Sequence, residues 1–194
     1  MYDSYANMRR QITYNDLRNR LISKIGGFIC SSCRYDNSKA LMVVYKEYNG
    51  SKNNGKLTTK KLRYYIDNQD KAINDLVILC YNCERKKRNR QRPSFNKIWQ
   101  KYGRTNRHKR RIQIFDILNQ YKCKDCGIDD FELLQIDHKN GGGNRALTNK
   151  FNNKYNEHIY YINNPDQCKQ DLQIMCVNCN ILKQRDNHEW FISS

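Results

Sequence analysis

Acidic and apolar residues are both scarce in this chain. Asp plus Glu number 19 against 36 Lys plus Arg, which leaves a formal charge of +17 on 194 residues. Hydrophobic residues make up 38% of the chain, and mean hydropathy is −0.99. No apolar run approaches the roughly 18 residues a bilayer-crossing helix needs, so a helical membrane span is excluded and no membrane partner is expected. The opening segment MYDSYANMRRQITY lacks the apolar stretch of a secretory signal. The expected compartment is therefore intracellular and reducing, either cytoplasmic or nucleoid-associated. So polar a chain buries little on its own, and small domains of this kind usually carry staples.

Cysteine supplies the staples. Eight of the nine cysteines form four C-x-x-C pairs: Cys30/Cys33, Cys80/Cys83, Cys123/Cys126 and Cys176/Cys179. In a reducing compartment thiols bind metal rather than pair with each other. One C-x-x-C would equally suit a redox site. Four of them in a basic chain predict two structural Zn2+ sites of four thiolates each, with disulfides as the alternative. Cys168 is left over and is expected to be a buried, idle thiol.

An internal repeat organises the rest. When Cys30 is set over Cys123 and Cys80 over Cys176, Tyr64-Tyr65-Ile66 falls over Tyr160-Tyr161-Ile162, Asp75-Leu76 over Asp171-Leu172, and Lys87 over Lys183. Asn49-Gly50 is matched to Asn140-Gly141. Two copies amount to a tandem duplication rather than a solenoid. The expected organisation is a module over residues 1–90, a basic linker over 91–107 and a second module over 108–194. In each copy the first two C-x-x-C pairs would close one zinc site around an excursion of about 50 residues, so that ligand binding becomes folding energy. Helix-periodic apolar spacing predicts helices over 14–24 and 108–120. Short strand-like runs follow at 42–45 and 133–136, then a helix carrying Tyr-Tyr-Ile. A further apolar segment at 76–79 or 172–175 leads into the second knuckle, and a last helix begins near Cys83 or Cys179. Pro93 should break the helix that leaves the first knuckle.

Between the copies the charge is nearly all of one sign. Arg85, Lys86, Lys87, Arg88, Arg90, Arg92, Arg104, Arg107, Lys109, Arg110 and Arg111 are interleaved with Phe95, Trp99 and Tyr102. A charge run is commonly no more than a solvated face. One this dense in a single sign repels itself and suits a polyanion, so nucleic acid is the expected partner, DNA ahead of RNA. Arg145 and Lys183 are further phosphate candidates. Lys183 and Arg185 fit equally well as charge on a helix face. No base-reading contact is legible.

The second copy carries a denser pattern: Leu133-Leu-Gln-Ile-Asp137-His138-Lys-Asn140-Gly-Gly-Gly-Asn-Arg145, then Asp171-Leu-Gln-Ile-Met-Cys176-Val-Asn-Cys179-Asn180-Ile-Leu-Lys183. Together these resemble the HNH (ββα-metal) endonuclease family in its zinc-knuckle subgroup, well over residues 123–183 and in degenerate form over 30–87. The resemblance implies an α+β fold of two tandem zinc-stabilised ββα-metal modules joined by a basic helical linker. It also implies hydrolysis of phosphodiester bonds, in the manner of a homing or phage-type enzyme. His138 would be the general base. Asp137 and Asn180 would hold a catalytic Mg2+ or Mn2+. Asp171 stands where the family has an Asn that braces the base-bearing loop, and Asp accepts hydrogen bonds but cannot donate them.

Two bland readings stand beside this one. His138 could be a loop histidine, and Gly141, Gly142 and Gly143 could simply supply a turn with positive φ. His108, His158 and His188 have no partner motif. In the first copy, alignment on Asn49-Gly50 puts Lys46, Glu47 and Glu84 where the second has Asp137, His138 and Asn180, which predicts a module that keeps zinc but does not cleave. The alternative for the whole chain is a non-catalytic zinc protein that binds rRNA, for example on a ribosome, or DNA.

Under either reading, affinity for nucleic acid should fall steeply with salt, with a log–log slope of about −0.9 per phosphate neutralised on duplex DNA. Titration at several ionic strengths checks this, and a flat response would remove the basic run as a phosphate contact.

Overall fold

Each half of the chain turns its apolar pattern into the same ordered set of elements. The structure, a computed structural model, describes the backbone of residues 2–47, 57–91, 97–141 and 154–186, and side chains of 13–47, 57–90, 106–141 and 156–186. It divides into two compact units, Met1–Arg92 and Pro93–Ser193. The first contains α1 (Tyr2–Ile25), β1 (Leu41–Tyr45), α2 (Thr59–Asp67), α3 (Gln69–Asp75), β2 (Leu76–Cys80) and α4 (Tyr81–Gln91). The second contains α5 (Lys97–Leu118), β3 (Leu134–His138), α6 (Lys154–Asn163), α7 (Pro165–Asp171), β4 (Leu172–Cys176) and α8 (Val177–Asp186). The architecture is α+β, with eight helices and two antiparallel two-stranded sheets among the described residues. None of these helices is long and apolar enough to cross a membrane.

Local chemistry explains the element ends. α1 stops where Gly26 and Gly27 take φ of +151° and +80°, backbone that L side chains avoid. α5 ends just before Asn119, at φ +48°. The Thr58 hydroxyl accepts from the Lys61 N–H and caps α2. Pro165 opens α7, where its missing N–H costs nothing. α4 runs to Gln91, two residues short of Pro93.

The basic stretch expected as a helical linker over 91–107 is helical where described, residues 97–107 forming the first half of α5, whose apolar second half packs into the core; residues 92–96 lie outside the described residues. One expectation needs correction: strand register shifts the repeat alignment. Leu41 pairs with Cys80 and Leu134 with Cys176. The equivalents of Asp137 and His138 are therefore Val44 and Tyr45, not Lys46 and Glu47. Lys46 matches Lys139 instead, and each donates its N–H to an equivalent acid's carbonyl, Asp75 or Asp171, at 2.8 Å. Asn49-Gly50 lies outside the described residues, and the number of residues between strand and following helix differs between the copies, so that dipeptide does not mark equivalent positions.

Packing repeats as well. In the first unit Leu17, Leu21 and Ile22 of α1 meet Leu41 and Val43 of the hairpin and Leu62 and Ile66 of α2. In the second unit Phe115 meets Leu134 and Ile174, while Ile114, Tyr161, Cys168 and Leu172 form an adjoining cluster. Cys168 is fully buried, and burial pushes its thiol up to about 11, as expected for an inert core sulfur. Shared hydrogen bonds lock both units. Tyr65 and Tyr161 donate to Asp75 and Asp171 at 2.9 and 3.0 Å. Arg18 donates to the carbonyls of Leu41 and Ser38 at 3.3 and 3.4 Å. Arg111 donates to those of Leu134 and Phe131 at 2.8 and 3.2 Å, with its guanidinium 4.3 Å from the Phe131 ring centroid.

Arg111→Met should destabilise the second unit by about 1–3 kcal/mol, because two part-buried carbonyls lose a charged donor. Denaturant unfolding checks this, and an unchanged midpoint would remove the assigned role.

Candidate functional site

Two four-cysteine clusters come together as the spacing predicts. Sγ atoms of Cys30, Cys33, Cys80 and Cys83 all lie within 4.8 Å of one another, as do those of Cys123, Cys126, Cys176 and Cys179. Cys33 and Cys80 sulfurs are 3.7 Å apart, and those of Cys126 and Cys176 are 3.6 Å apart. A tetrahedral ion with Zn–S bonds of about 2.3 Å sets sulfurs about 3.8 Å apart, so either group could bind a structural zinc. N–H groups of Cys83 and Cys179 point at the Cys80 and Cys176 sulfurs at 3.5 and 3.4 Å, the outer-shell contacts that orient such ligands. Burial pushes the Cys126 thiol up to about 11. Burial acts on Cys30 too, but backbone hydrogen bonds at Cys80, Cys33 and Ser32 outweigh it and bring that thiol down to about 7.

The Asp-His segment ends β3, where successive side chains alternate between faces of the hairpin. Gln135 and Asp137 lie on the face covered by α8. Asp137 Oδ2 accepts from Gln173 at 2.8 Å and from the Lys183 ammonium at 2.7 Å. Lys183 also donates to the His138 carbonyl. The Asn180 amide donates to Gln135 Oε1 at 3.0 Å, and its oxygen accepts from Gln184 at 2.9 Å. His138 turns to the other face. Its ring packs edge-on against Tyr161, with centroids 6.1 Å apart, and its Nε2 lies 3.1 Å from Glu157 Oε1.

Asp137 and Asn180 thus share one face, each within its own hydrogen-bond set, and His138 lies across the hairpin from them. A single preformed centre of all three side chains, as the sequence implies, is not what this geometry holds. Asp171 lies behind the base-bearing segment: its carbonyl accepts from the N–H of Lys139, the residue after His138, at 2.8 Å. It accepts from Tyr161 and from Gln167 Nε2 at 2.9 Å, and the identical Tyr65–Asp75 bond in the first unit marks it as part of the fold. Gly141 does take positive φ, +70°. Gly142, Gly143 and Arg145 lie outside the described residues.

The described basic candidates divide in three. Arg90, Arg107 and Lys109 are exposed. Lys87 instead donates to the Tyr45 carbonyl at 2.6 Å, and Arg88 pairs with Glu84 at 3.5 Å. With Arg111 and Lys183 they are engaged within their own units rather than presented as a row of phosphate contacts. Arg85, Lys86 and Arg110 are half-buried. Arg92, Phe95 and His188 lie outside the described residues, as do the side chains of Arg104, Trp99 and Tyr102. His108 is exposed and packs on Phe131 with ring centroids 4.8 Å apart.

Sequence reasoning missed Glu157, Gln173 and Gln135. Register reveals what they have in common. In the first unit, Met42, Val44 and Val77 stand at the positions of Gln135, Asp137 and Gln173, and Tyr45 and Lys61 at those of His138 and Glu157. No family model, curated protein or solved structure matches the chain.

Elemental analysis of the purified protein should find about two zinc ions per chain, and Cys126→Ser should bring this to about one while unfolding the second unit. Absence of zinc, or four disulfides by mass spectrometry, would overturn the assignment.

Proposed function

We propose that the second unit is a divalent-cation-dependent phosphodiesterase of the HNH (ββα-metal) kind, acting on nucleic acid, and that the first is its non-cleaving, nucleic-acid-binding sibling. Both units would be held by structural zinc. One observation carries the reading. The two units share their strand register, their Tyr–Asp and Arg–carbonyl bonds and their thiol clusters, yet only the second places Gln135, Asp137, Gln173, His138 and Glu157 on its hairpin and against it. The first unit keeps the fold with Met42, Val44 and Val77 on the same face, so folding does not require this polarity. Burying polar groups costs free energy unless every one is paired, and an apolar set of the same shape serves a fold about as well. Groups retained without a folding need point to a site.

The donor chemistry fits a hard cation. Asp137 Oδ2 and the His138 carbonyl already hold one positive charge, the Lys183 ammonium. Asp137 and Asn180 are the side-chain oxygens that would hold Mg2+ or Mn2+, which when bound would offset charge on the phosphate and the leaving oxygen. His138, at the end of β3, takes the proton from the attacking water. Lys183 links the Asp137 carboxylate to the backbone at His138, so the carboxylate and the base-bearing residue keep a fixed relation. Arg90, Arg107 and Lys109, exposed on α4 and α5, fit phosphate contacts outside the reacting group. The zinc sites take no part in cleavage, since four thiolates leave no open position.

A second reading, a non-catalytic zinc protein that binds nucleic acid, is favoured by the Asp137–Lys183 pair and by the opposite orientation of His138.

Plasmid nicking separates the two. With Mg2+ or Mn2+ the wild-type protein should nick, while His138→Ala, Asp137→Ala and Asn180→Ala should each lower the rate at least 100-fold, within the range for loss of a general acid or base. Intact plasmid with wild type, alongside retained binding, would leave the binding protein.

A further inference from the structure

We infer that Glu157 is a positioning residue for His138: its carboxylate holds the Nε2 edge of the imidazole and leaves Nδ1 as the nitrogen offered to the reacting water. This rests on the hydrolase reading above, though the contact itself stands apart from it.

Glu157 is 5% exposed, and its Oε1 lies 3.1 Å from His138 Nε2. Neither atom makes a well-aligned hydrogen bond, there or elsewhere, so the contact is a close, off-axis approach of carboxylate and imidazole. A carboxylate so deeply buried is strongly unfavourable unless paired. An acid near the start of α6 suits the helix dipole, but an exposed carboxylate would serve that purpose; burial against an imidazole needs another reason.

The first unit supplies it. α6 offers Glu157 and, one turn on, Tyr161 to the same histidine. α2 offers Lys61 and Tyr65 to Tyr45 in the same way. The tyrosine is unchanged: Tyr65 meets Tyr45 at 6.3 Å and 68°, and Tyr161 meets His138 at 6.1 Å and 64°. Both tyrosine hydroxyls rest on the equivalent acid. What changes with the strand-end residue is its companion. Where the ring is a phenol, the Lys61 ammonium stands 5.2 Å from its centroid, a cation over a π face. Where the ring is an imidazole, a carboxylate stands at its ring nitrogen. The fold keeps the Tyr–Asp pair in both units, whereas His138 and Glu157 change together. An imidazole whose Nε2 edge faces the Glu157 carboxylate at 3.1 Å favours the tautomer with its proton on Nε2 and the Nδ1 lone pair free, and a fixed tautomer and ring angle are what a general base needs.

Two measurements on the full chain test this. In nicking assays Glu157→Gln should lower kcat about 10- to 100-fold with KM within about 2-fold, the scale on which outer-shell partners act. An unchanged kcat, or a loss confined to KM, would overturn the proposal. Imidazole 15N shifts of His138 should report one Nε2–H tautomer in wild type and a mixture in Glu157→Met; the same tautomer in both would also overturn it. If the wild-type protein does not nick, the hydrolase reading falls, yet the tautomer comparison still decides whether Glu157 orients His138. If the exchange Glu157→Lys unfolds the protein, the pair His138→Tyr with Glu157→Lys, which copies the first unit, should restore the melting temperature. Additive losses would show the two residues to be uncoupled.

Discussion

In each unit four sulfurs gather within 4.8 Å of one another, where a bound ion would hold three stretches of chain that have little apolar surface with which to hold one another. The first knuckle follows the long helix, and the second joins the end of β2 or β4 to the helix behind it. Cys80 and Cys176 are themselves the last residues of those strands, paired with Leu41 and Leu134. Such a clamp would therefore act on strand register directly. Ser31 and Lys124, inside the first knuckle, donate to the Ile78 and Ile174 carbonyls at 2.9 Å and stitch that knuckle to the same strands. In a chain of mean hydropathy −0.99, metal-binding free energy would take over part of what a larger core supplies elsewhere.

Around this clamp the duplication kept one set of interactions and replaced another. Arg18 and Arg111 hold the carbonyls at the start of the hairpin. Tyr65–Asp75 and Tyr161–Asp171 pin the paired helices to the strand behind them. Lys87 and Lys183 reach back to the carbonyls of Tyr45 and His138. These bonds recur because the same backbone polar groups need the same donors. By contrast, hairpin residues facing α4 and α8 diverged completely. A face of Met42, Val44 and Val77 packs as ordinary apolar surface, whereas on the other hairpin Asp137 and Gln173 form a linked polar set with Lys183, and Gln135 bonds Asn180 beside it. Two sequences on one backbone thus act as a natural control for what the fold requires.

That control reassigns several residues. Asp171 is a structural acceptor whose partner, Tyr161, also lies against His138, so the fold and the candidate base meet at a single phenol. Lys183 is more than a surface cation: it joins the carboxylate of Asp137 to the backbone of the next residue. Part of the basic character of the chain is spent internally, in Arg111 on carbonyls and an aromatic ring and in Arg88 on Glu84, which leaves Arg90, Arg107 and Lys109 among the exposed cations.

Much of this was legible from residue order. The cysteine spacing determined which thiols gather, because a C-x-x-C turn can present both sulfurs only to one side. The repeat determined that there are two units of the same build, and apolar runs placed strands and final helices within a few residues. The pairing of His138 with Glu157, the capture of Asp137 by Lys183 and the equivalence of Tyr45 with His138 were decided only by tertiary structure. Glu157 follows a stretch of sequence whose length differs between the copies, so spacing alone could not carry the alignment across it. Which face of a two-stranded hairpin a side chain takes depends on register, and one step along the strand reverses it. Composition and motif therefore supplied the cysteines and part of the candidate residues, while the distances between them came from where the hairpin and helices lock together.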